Sequence, residues 1–460
     1  MTIWTPDLTA FSGPLYLKLV KAIEQAIHEG ELPPQTRLPT HRALADRLGV
    51  TVGTITRAYS EAERRGLLAA RVGRGTWVKG AQDDPVNGWV IRKDEQEGTR
   101  IELWQNLPVP LDRAAIIRPM LAEIANGELN SLLGYDNEAG KSGQRQLFIN
   151  WLADQGVNGS EECLMFSHGA QHGIMLALVA TGCVGETLLC EGLSYPGMLG
   201  TARQLKNQVV GVALDDEGIV PDALDATCRT RRAKLLYLTP TLQNPTTATM
   251  SLERRHAIVA IARRHDLWII EDDVNGLLPQ DPMIPLVNLA PERVIYLGSL
   301  AKIACGGLRV GFVLTPPALR NAFAQAMRLS SWMVSPILIE LACKLVSERH
   351  IMHLVEQQRR ILTGRGELLR HLLPEARWQI GSMHAWLPLP EPWRSQEFAD
   401  AADALEVGVA SGEHFAAGQF AAVQGVRLSL SQPASDQRVA EGLSRLAQLL
   451  RGSLPTNPLL

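Results

Sequence analysis

Tyr296-Leu-Gly-Ser-Leu-Ala-Lys302-Ile-Ala-Cys-Gly-Gly-Leu-Arg309-Val-Gly311 is the stretch on which the reading of this chain turns. Just ahead of Lys302, residues 293–298 form a short apolar run that reads as a strand buried on both faces. A lone lysine after a strand is ordinarily a solvated charge; Lys302 is set apart by its company. Ser299 can offer a hydroxyl to an anion, and Arg309 follows a Gly-Gly turn with the planar fork that phosphate prefers. An amine held among such groups becomes a nucleophile once deprotonated, and neighbouring positive charge favours that state.

Outward from this stretch the pattern repeats. Residues 163–167, 186–190, 234–239, 267–271 and 309–314 are further apolar runs, and 171–181, 252–264 and 317–327 have helical spacing between them. The alternation predicts an α/β domain on a mostly parallel sheet, in which ligand groups come from the carboxyl ends of strands. The chemistry-bearing residues stand at those ends. Ser167-His-Gly169-Ala170-Gln171 opens an apolar helix whose first amides can cradle a phosphate. Glu271-Asp272-Asp273 closes a strand, and Asp272 is suited to pair with a protonated ring nitrogen; taken alone it is as readily a loop carboxylate. Tyr195, in Leu-Ser-Tyr-Pro-Gly, can stack on a ring, although an isolated aromatic more often packs. Gln243-Asn244-Pro245-Thr246 brings an amide to the same region. Arg427 falls in an expected strand of a smaller C-terminal α+β subdomain, at about 335–455, where it can grip a carboxylate or end in a surface ion pair.

The first 78 residues read differently. Tyr16, Leu19, Val20, Ile23 and Ile27 share one helical face, ending at Gly30. Thr40 is a natural N-cap for a second helix closed by Gly49, and Thr51 caps a third that closes at Gly66. Residues 67–78, with Gly73 and Gly75 around Arg74, predict a two-stranded wing. Two helices joined at a glycine turn, the second presenting Thr51, Thr54 and Arg57, form a helix-turn-helix pattern. Residues 79–100 are polar, punctuated by glycine and proline, and read as a linker.

Composition bounds these readings. A chain of 460 residues suits two or three domains, and its 46% hydrophobic and 20% charged fractions are ordinary for a globular protein. The net charge of −3 conceals ten Lys/Arg against six acids in residues 13–78, so the remainder sums to −7. No apolar stretch is long enough for a membrane span, and the Met1-Thr-Ile-Trp-Thr-Pro start does not resemble a signal peptide. Six scattered cysteines without a Cys-x-x-Cys pair point to reduced thiols in a cytoplasmic protein, with neither a metal site nor a disulfide framework.

Two resemblances add to this. Leu-Pro-Pro-Gln-Thr-Arg-Leu-Pro-Thr-His-Arg42-Ala-Leu-Ala, Gly66-Leu-Leu and Gly73-Arg-Gly-Thr-Trp-Val closely resemble GntR-type DNA-binding domains, which implies that Arg42, Thr51, Thr54, Arg57 and Arg74 approach double-stranded operator DNA. From about residue 101 to the end the chain resembles fold type I aminotransferases, and the combination is similar to the MocR subfamily of GntR regulators. That resemblance implies pyridoxal 5'-phosphate as cofactor, with Lys302 as its Schiff-base lysine, Asp272 on the ring nitrogen, Asn244 near the ring oxygen and Tyr195 on the ring face. It places Gly169, Ala170, Gln171, Ser299 and Arg309 around the phosphate, and Arg427 on the carboxylate of an amino-acid or amine effector. It also implies a homodimer in which Tyr135 reaches the neighbouring subunit's phosphate, with DNA-binding heads exchanged between subunits in relatives.

Two departures bear on function. The usual Glu-Asp-Asp-Tyr is here Glu-Asp-Asp-Val274, and the usual Asn-Pro-Thr-Gly ends in Thr247. Losing one donor at the ring oxygen weakens cofactor binding by ~1–3 kcal/mol if the partner stays buried and unpaired. The expected function is a cofactor-dependent DNA-binding regulator. The competing expectations are a working aminotransferase with an accessory head, and a fold that has lost the cofactor and binds another metabolite.

Overall fold

The computed structural model describes residues 4–9, 11–33, 36–64, 67–71, 75–78, 100–418, 420 and 423–452. The backbone separates into two units, Met1–Lys93 and Asp94–Leu460.

The smaller unit holds three helices, Leu15–His28, His41–Leu48 and Val52–Arg64, followed by an antiparallel ribbon of Leu68–Arg71 and Gly75–Val78. Local chemistry accounts for each boundary. The Thr40 side chain accepts from Ala43 N, and Gly49 closes the second helix in the left-handed region at φ +64°. Thr51 Oγ1 then accepts from Thr54 N at 3.2 Å to start the third. Leu19, Val20, Ile23, Leu44, Ile55, Ala58 and Tyr59 make an apolar core of their own. The ribbon is pinned to the chain before the second helix through Leu38 N to Thr76 O and Val78 N to Thr36 O, both at 2.8 Å. Gly66, Gly73 and Arg74, together with residues 79–99 of the expected linker, lie outside the described residues.

In the larger unit seven strands form one sheet in the order Leu164–Ser167, Gly311–Leu314, Val294–Ser299, Trp268–Asp272, Leu235–Leu238, Thr187–Glu191, Gln208–Val212. All neighbours are parallel except Gly311–Leu314, which runs against both strands flanking it. Helices such as Ala170–Ala180 and Leu252–Arg264, each with one face buried, connect them. The edge strand Gln208–Val212 buries only its last residue, too little for an apolar run to mark it. The helix expected over 317–327 begins as a 3₁₀ turn, Pro317–Leu319, and becomes α-helical at Arg320–Ser330.

A smaller antiparallel sheet, His384–Pro388, Gly425–Ser429 and Ala410–Ser411, packs with helices His350–Leu372, Ser395–Ala404 and Asp436–Leu450. The chain enters the larger unit through this subdomain: Ile101–Glu102 pairs in parallel with Val407–Gly408, and Ser429 N donates to Leu103 O at 2.7 Å. Arg100, read from sequence as the last linker residue, is tied to this unit by ion pairs with Glu102 and Asp403. One apolar core runs from Ile101 to Leu449. No helix among the described residues is long and apolar enough to cross a membrane, none of their His, Cys, Asp and Glu form a metal-ligating group of three or more, and the six cysteines are free thiols.

Candidate functional site

The carboxyl ends of the central strands converge. Register sets Ser299 beside Gly311 and Gly311 beside Ser167, so the loops after Ser299 and Ser167 and the loop before Gly311 lie at one edge of the site. Ser299 ends its strand and caps the one-turn helix Leu300–Ile303, accepting from Ala301 N at 3.1 Å. Lys302 stands in that turn, where its Nζ donates to the main-chain oxygen of Asn106. Arg309 adopts a left-handed conformation, φ +52°, and donates to His168 O at 3.0 Å. Gly169, at φ +79°, opens the helix Ala170–Ala180, and a Cβ there would sit 2.7 Å from Arg309 Nη2. The position therefore requires glycine by conformation, and any side chain there would also press on the end of Arg309. Ala170 and Gln171 lie in the first turn, where amides have no helical acceptor. A hydroxyl, a guanidinium and a helix N-terminus together make an anion cradle.

Asp272 closes the strand Trp268–Asp272 and is 4% exposed. Its Oδ2 accepts from the Tyr237 hydroxyl at 2.6 Å, and its Oδ1 from Val274 N at 3.4 Å. Burial pushes its carboxyl up to about 6, with the Tyr237 donation opposing. Burial also pushes the Lys302 amine down to about 8, helped by the positive charge of Arg427 and opposed by Asp272. A lysine near 8 is appreciably neutral at physiological pH, the state an attack on a carbonyl requires.

On the small-subdomain side, Arg427 is buried to 1%, and no carboxylate among the described residues pairs with it. Nη1 donates to Asn244 Oδ1 at 2.8 Å and Nη2 to Trp104 O at 2.6 Å, while buried Nε has no partner. Its guanidinium lies 4.9 Å from the centroid of the Phe415 ring. Burial lowers it to about 10. A desolvated cation facing only neutral acceptors is a strong attractor for an anion. Tyr195 caps the helix Pro196–Gln204, and its phenol is raised to about 12 by burial first and by Asp272 second.

Of the residues singled out from sequence, Lys302, Asp272, Asn244, Arg427, Ser299, Arg309 and Gly169-Ala170-Gln171 thus gather around one region, with Tyr195 electrostatically coupled to Asp272, Arg427 and Arg309. Tyr135 does not join them within this chain: it is 87% exposed, its ring 5.8 Å from that of Trp332. In the smaller unit Arg42, Thr51 and Arg57 are exposed, Thr54 is half-buried against Thr51, and the Arg57 guanidinium lies 4.2 Å from the Tyr16 ring centroid. Sequence reasoning missed Tyr237, Glu191, Trp104, Asn106 and His384. Trp104 and Asn106 act through main-chain oxygens, and no sequence motif marks those. Glu191 did carry a signal, a charge closing an apolar strand. It is fully buried, accepts from Thr239 N and Gln243 Nε2 at 3.3 Å each, and burial pushes it up to about 8.

Residues 111–443 match the family model for aminotransferases of class I and II. The chain belongs to that family. Its larger unit is a fold type I aminotransferase domain, and residues 15–78 match bacterial regulatory proteins of the gntR family. The full arrangement is found in relatives described as transcriptional regulators. The uncharacterized HTH-type transcriptional regulator YdeF of Bacillus subtilis (strain 168) is 29% identical over 97% of this chain and 96% of its own length. The probable rhizopine catabolism regulatory protein MocR of Rhizobium meliloti is 26% identical over 78% of each. This is the MocR subfamily architecture. Among solved structures, LysN, the α-aminoadipate aminotransferase of Thermus thermophilus in complex with N-(5'-phosphopyridoxyl)-L-leucine, superposes with a TM-score of 0.69 at 25% identity, covering 77% of this chain and 92% of that one. An archaeal alanine:glyoxylate aminotransferase gives 0.71 at 24% identity, covering 78% and 92%. Class I and II aminotransferases work with pyridoxal phosphate. The site's donors suit that group: a glycine-lined anion cradle, an amine lowered towards neutrality and a buried carboxylate one strand away.

Proposed function

We propose that this protein is a DNA-binding transcriptional regulator whose aminotransferase domain holds pyridoxal phosphate and responds to an amino acid or amine. The observation that carries the ligand class is Arg427, a buried cation without an anionic partner among the described residues, beside the lowered Lys302 amine. Lys302 Nζ would be the amine that binds the cofactor's aldehyde, Ser299, Arg309 and the first amides after Gly169 would hold its phosphate, and Tyr195 would pack against the ring. Bound there, the cofactor supplies an aldehyde carbon and an electron-withdrawing ring. Asp272 holds the proton of the ring nitrogen. Asn244 and Arg427 are mutually bonded, so a carboxylate arriving at Arg427 competes with the Asn244 and Trp104 oxygens.

The head supports the regulatory reading over a purely metabolic one, as does Val274, which leaves the ring oxygen one donor short. Leu133, Tyr135, Leu329 and Trp332 are exposed apolar side chains, 63%, 87%, 79% and 54% respectively, and a second copy of the chain covers them in the homodimer we infer. Tyr135 then reaches the partner subunit's site, and the two heads engage two half-sites, exchanged or not between subunits.

The test has two parts. Purified protein supplied with pyridoxal phosphate should acquire a visible absorption band that Lys302→Ala abolishes; a wild type that stays colourless removes the cofactor assignment. Screening amino acids and amines for a change in that band identifies the ligand, and Arg427→Gln should lose the response to carboxylate-bearing hits. Sustained turnover of an amino donor with a keto acid would favour the enzymatic reading instead.

A further inference from the structure

Asp272 and Asp273 are consecutive carboxylates, and the sheet treats them as mirror images. Register pairs Ile270 with Tyr237 on one flanking strand and Glu271 with Tyr296 on the other. Side chains alternate along a strand, so Tyr237 shares a face with Ile270 and Asp272, whereas Tyr296 shares the opposite face with Glu271. Each phenol reaches diagonally to the carboxylate two residues beyond its register partner: Tyr237 to Asp272 Oδ2 at 2.6 Å, Tyr296 to Asp273 Oδ2 at 3.0 Å. Both tyrosines are buried, to 0% and 2%. Their surroundings differ. Asp272 feels Lys302, while Asp273 feels Arg255, which also pairs with buried Glu271 at 3.7 Å.

We propose that Tyr237 is a positioning residue for the cofactor, aiming the Asp272 carboxylate at the ring nitrogen and holding it ionised, while its mirror image Tyr296 serves only the fold. The inference rests on the assignment of Asp272 to the ring nitrogen. Tyr237 occupies Oδ2, so Oδ1, whose contact with Val274 N is long, is the oxygen left for a strong donor. A hydrogen bond to the charged form offsets the burial that otherwise raises a carboxyl, and the phenol is the shortest donor Asp272 has. Tyr237 itself is held far above the ordinary phenol range by burial and by Asp272, so it can only donate.

The experiment compares Tyr237→Phe with Tyr296→Phe in the full-length protein, the substitutions being identical in chemistry and burial. Pyridoxal phosphate binding is read from the visible band, and folding from the thermal midpoint. Tyr237→Phe should weaken cofactor binding by about 10-fold and shift the pH profile of the band. Tyr296→Phe should stay within about twofold of wild type while losing comparable thermal stability. In an Asp272→Asn background, which reads the same contact from its other end, Tyr237→Phe should cost nothing further. Equal binding and an unchanged pH profile in Tyr237→Phe would overturn the inference, and so would equal losses in the two tyrosine variants. A wild type that takes up no pyridoxal phosphate overturns the cofactor assignment, and this inference with it.

Discussion

At the scale of single residues, the site is built from groups kept out of their ordinary protonation or conformational state. Glu191 is the clearest case: fully buried, with Oε1 unpartnered and its carboxyl raised to about 8. A folded-state value above the ordinary one near 4.5 means that ionisation destabilises the fold. The penalty is absent below the ordinary value and grows as pH rises towards about 8. Glu191→Gln, which keeps an oxygen for Thr239 N and Gln243 Nε2, should therefore raise the thermal midpoint at pH 8, with the gain vanishing near pH 4.5. A gain that does not depend on pH would show that the carboxylate's charge is not the cause. Gly169 makes the opposite prediction. At φ +79° and ψ 172° an alanine there costs about 1–3 kcal/mol in backbone strain, and its Cβ would push the Arg309 guanidinium off its position in the cradle. Gly169→Ala should weaken pyridoxal phosphate binding by about tenfold or more, roughly the worth of one charge-assisted phosphate contact, measured by titrating the visible band.

Elements explain which parts of this were legible beforehand. The apolar runs located six of the seven strands, yet they end one residue early at three decisive places, before Glu191, Asp272 and Ser299. At Glu191 and Ser299 hydropathy stops where polarity begins, and at Asp272 after a single charged residue, whereas ladder pairing continues through that last polar residue. Polar residues at the candidate site are thus the ones a hydrophobic pattern tends to exclude from the element that positions them. Tyr237 hid for the converse reason, since a tyrosine inside an apolar strand looks like packing. Residues 101–109 carry no motif at all, because they meet Arg427 and Lys302 through main-chain oxygens. In the head, capping residues and helical faces were readable because they are local, and the structure adds a contact between helices that spacing does not reveal. Arg57 lies 4.2 Å from the ring of Tyr16, joining the third helix to the first. Arg57→Ala should accordingly lower both DNA affinity and the thermal stability of the head. Arg42→Ala, at an exposed position in the second helix, should lower affinity with stability unchanged and reduce the salt dependence of binding. Fluorescence anisotropy on a promoter fragment at several salt concentrations, beside a thermal melt of each variant, separates the two.

On the proposed function the whole molecule connects a ligand the size of an amino acid to DNA, and a dimer is the simplest object that can do so. Leu329 at 79% exposure, Leu133 at 63% and Trp332 at 54% stand with Tyr135 in a chain whose other large apolar side chains are mostly buried. Water makes that exposure unfavourable, and the self-complementary contact proposed between two copies would relieve it. Leu329→Asp places an ionised group in that contact, where burial without a partner costs several kcal/mol or prevents association. The variant should sediment as a monomer. Two heads on one dimer bind two half-sites with an effective concentration that separate monomers lack, so affinity for a two-half-site fragment should fall by about 10²-fold or more, while a single half-site is bound as before. If Tyr135 of one subunit contributes to the partner's phosphate site, the monomer should also bind pyridoxal phosphate more weakly, to the extent that Tyr135→Phe does in the intact dimer. A Leu329→Asp protein that remains dimeric by sedimentation places the interface elsewhere. One that is monomeric yet keeps full affinity for the two-half-site fragment shows that the heads do not act as a pair, and that the aminotransferase domain signals to DNA by some route other than the spacing of its two copies.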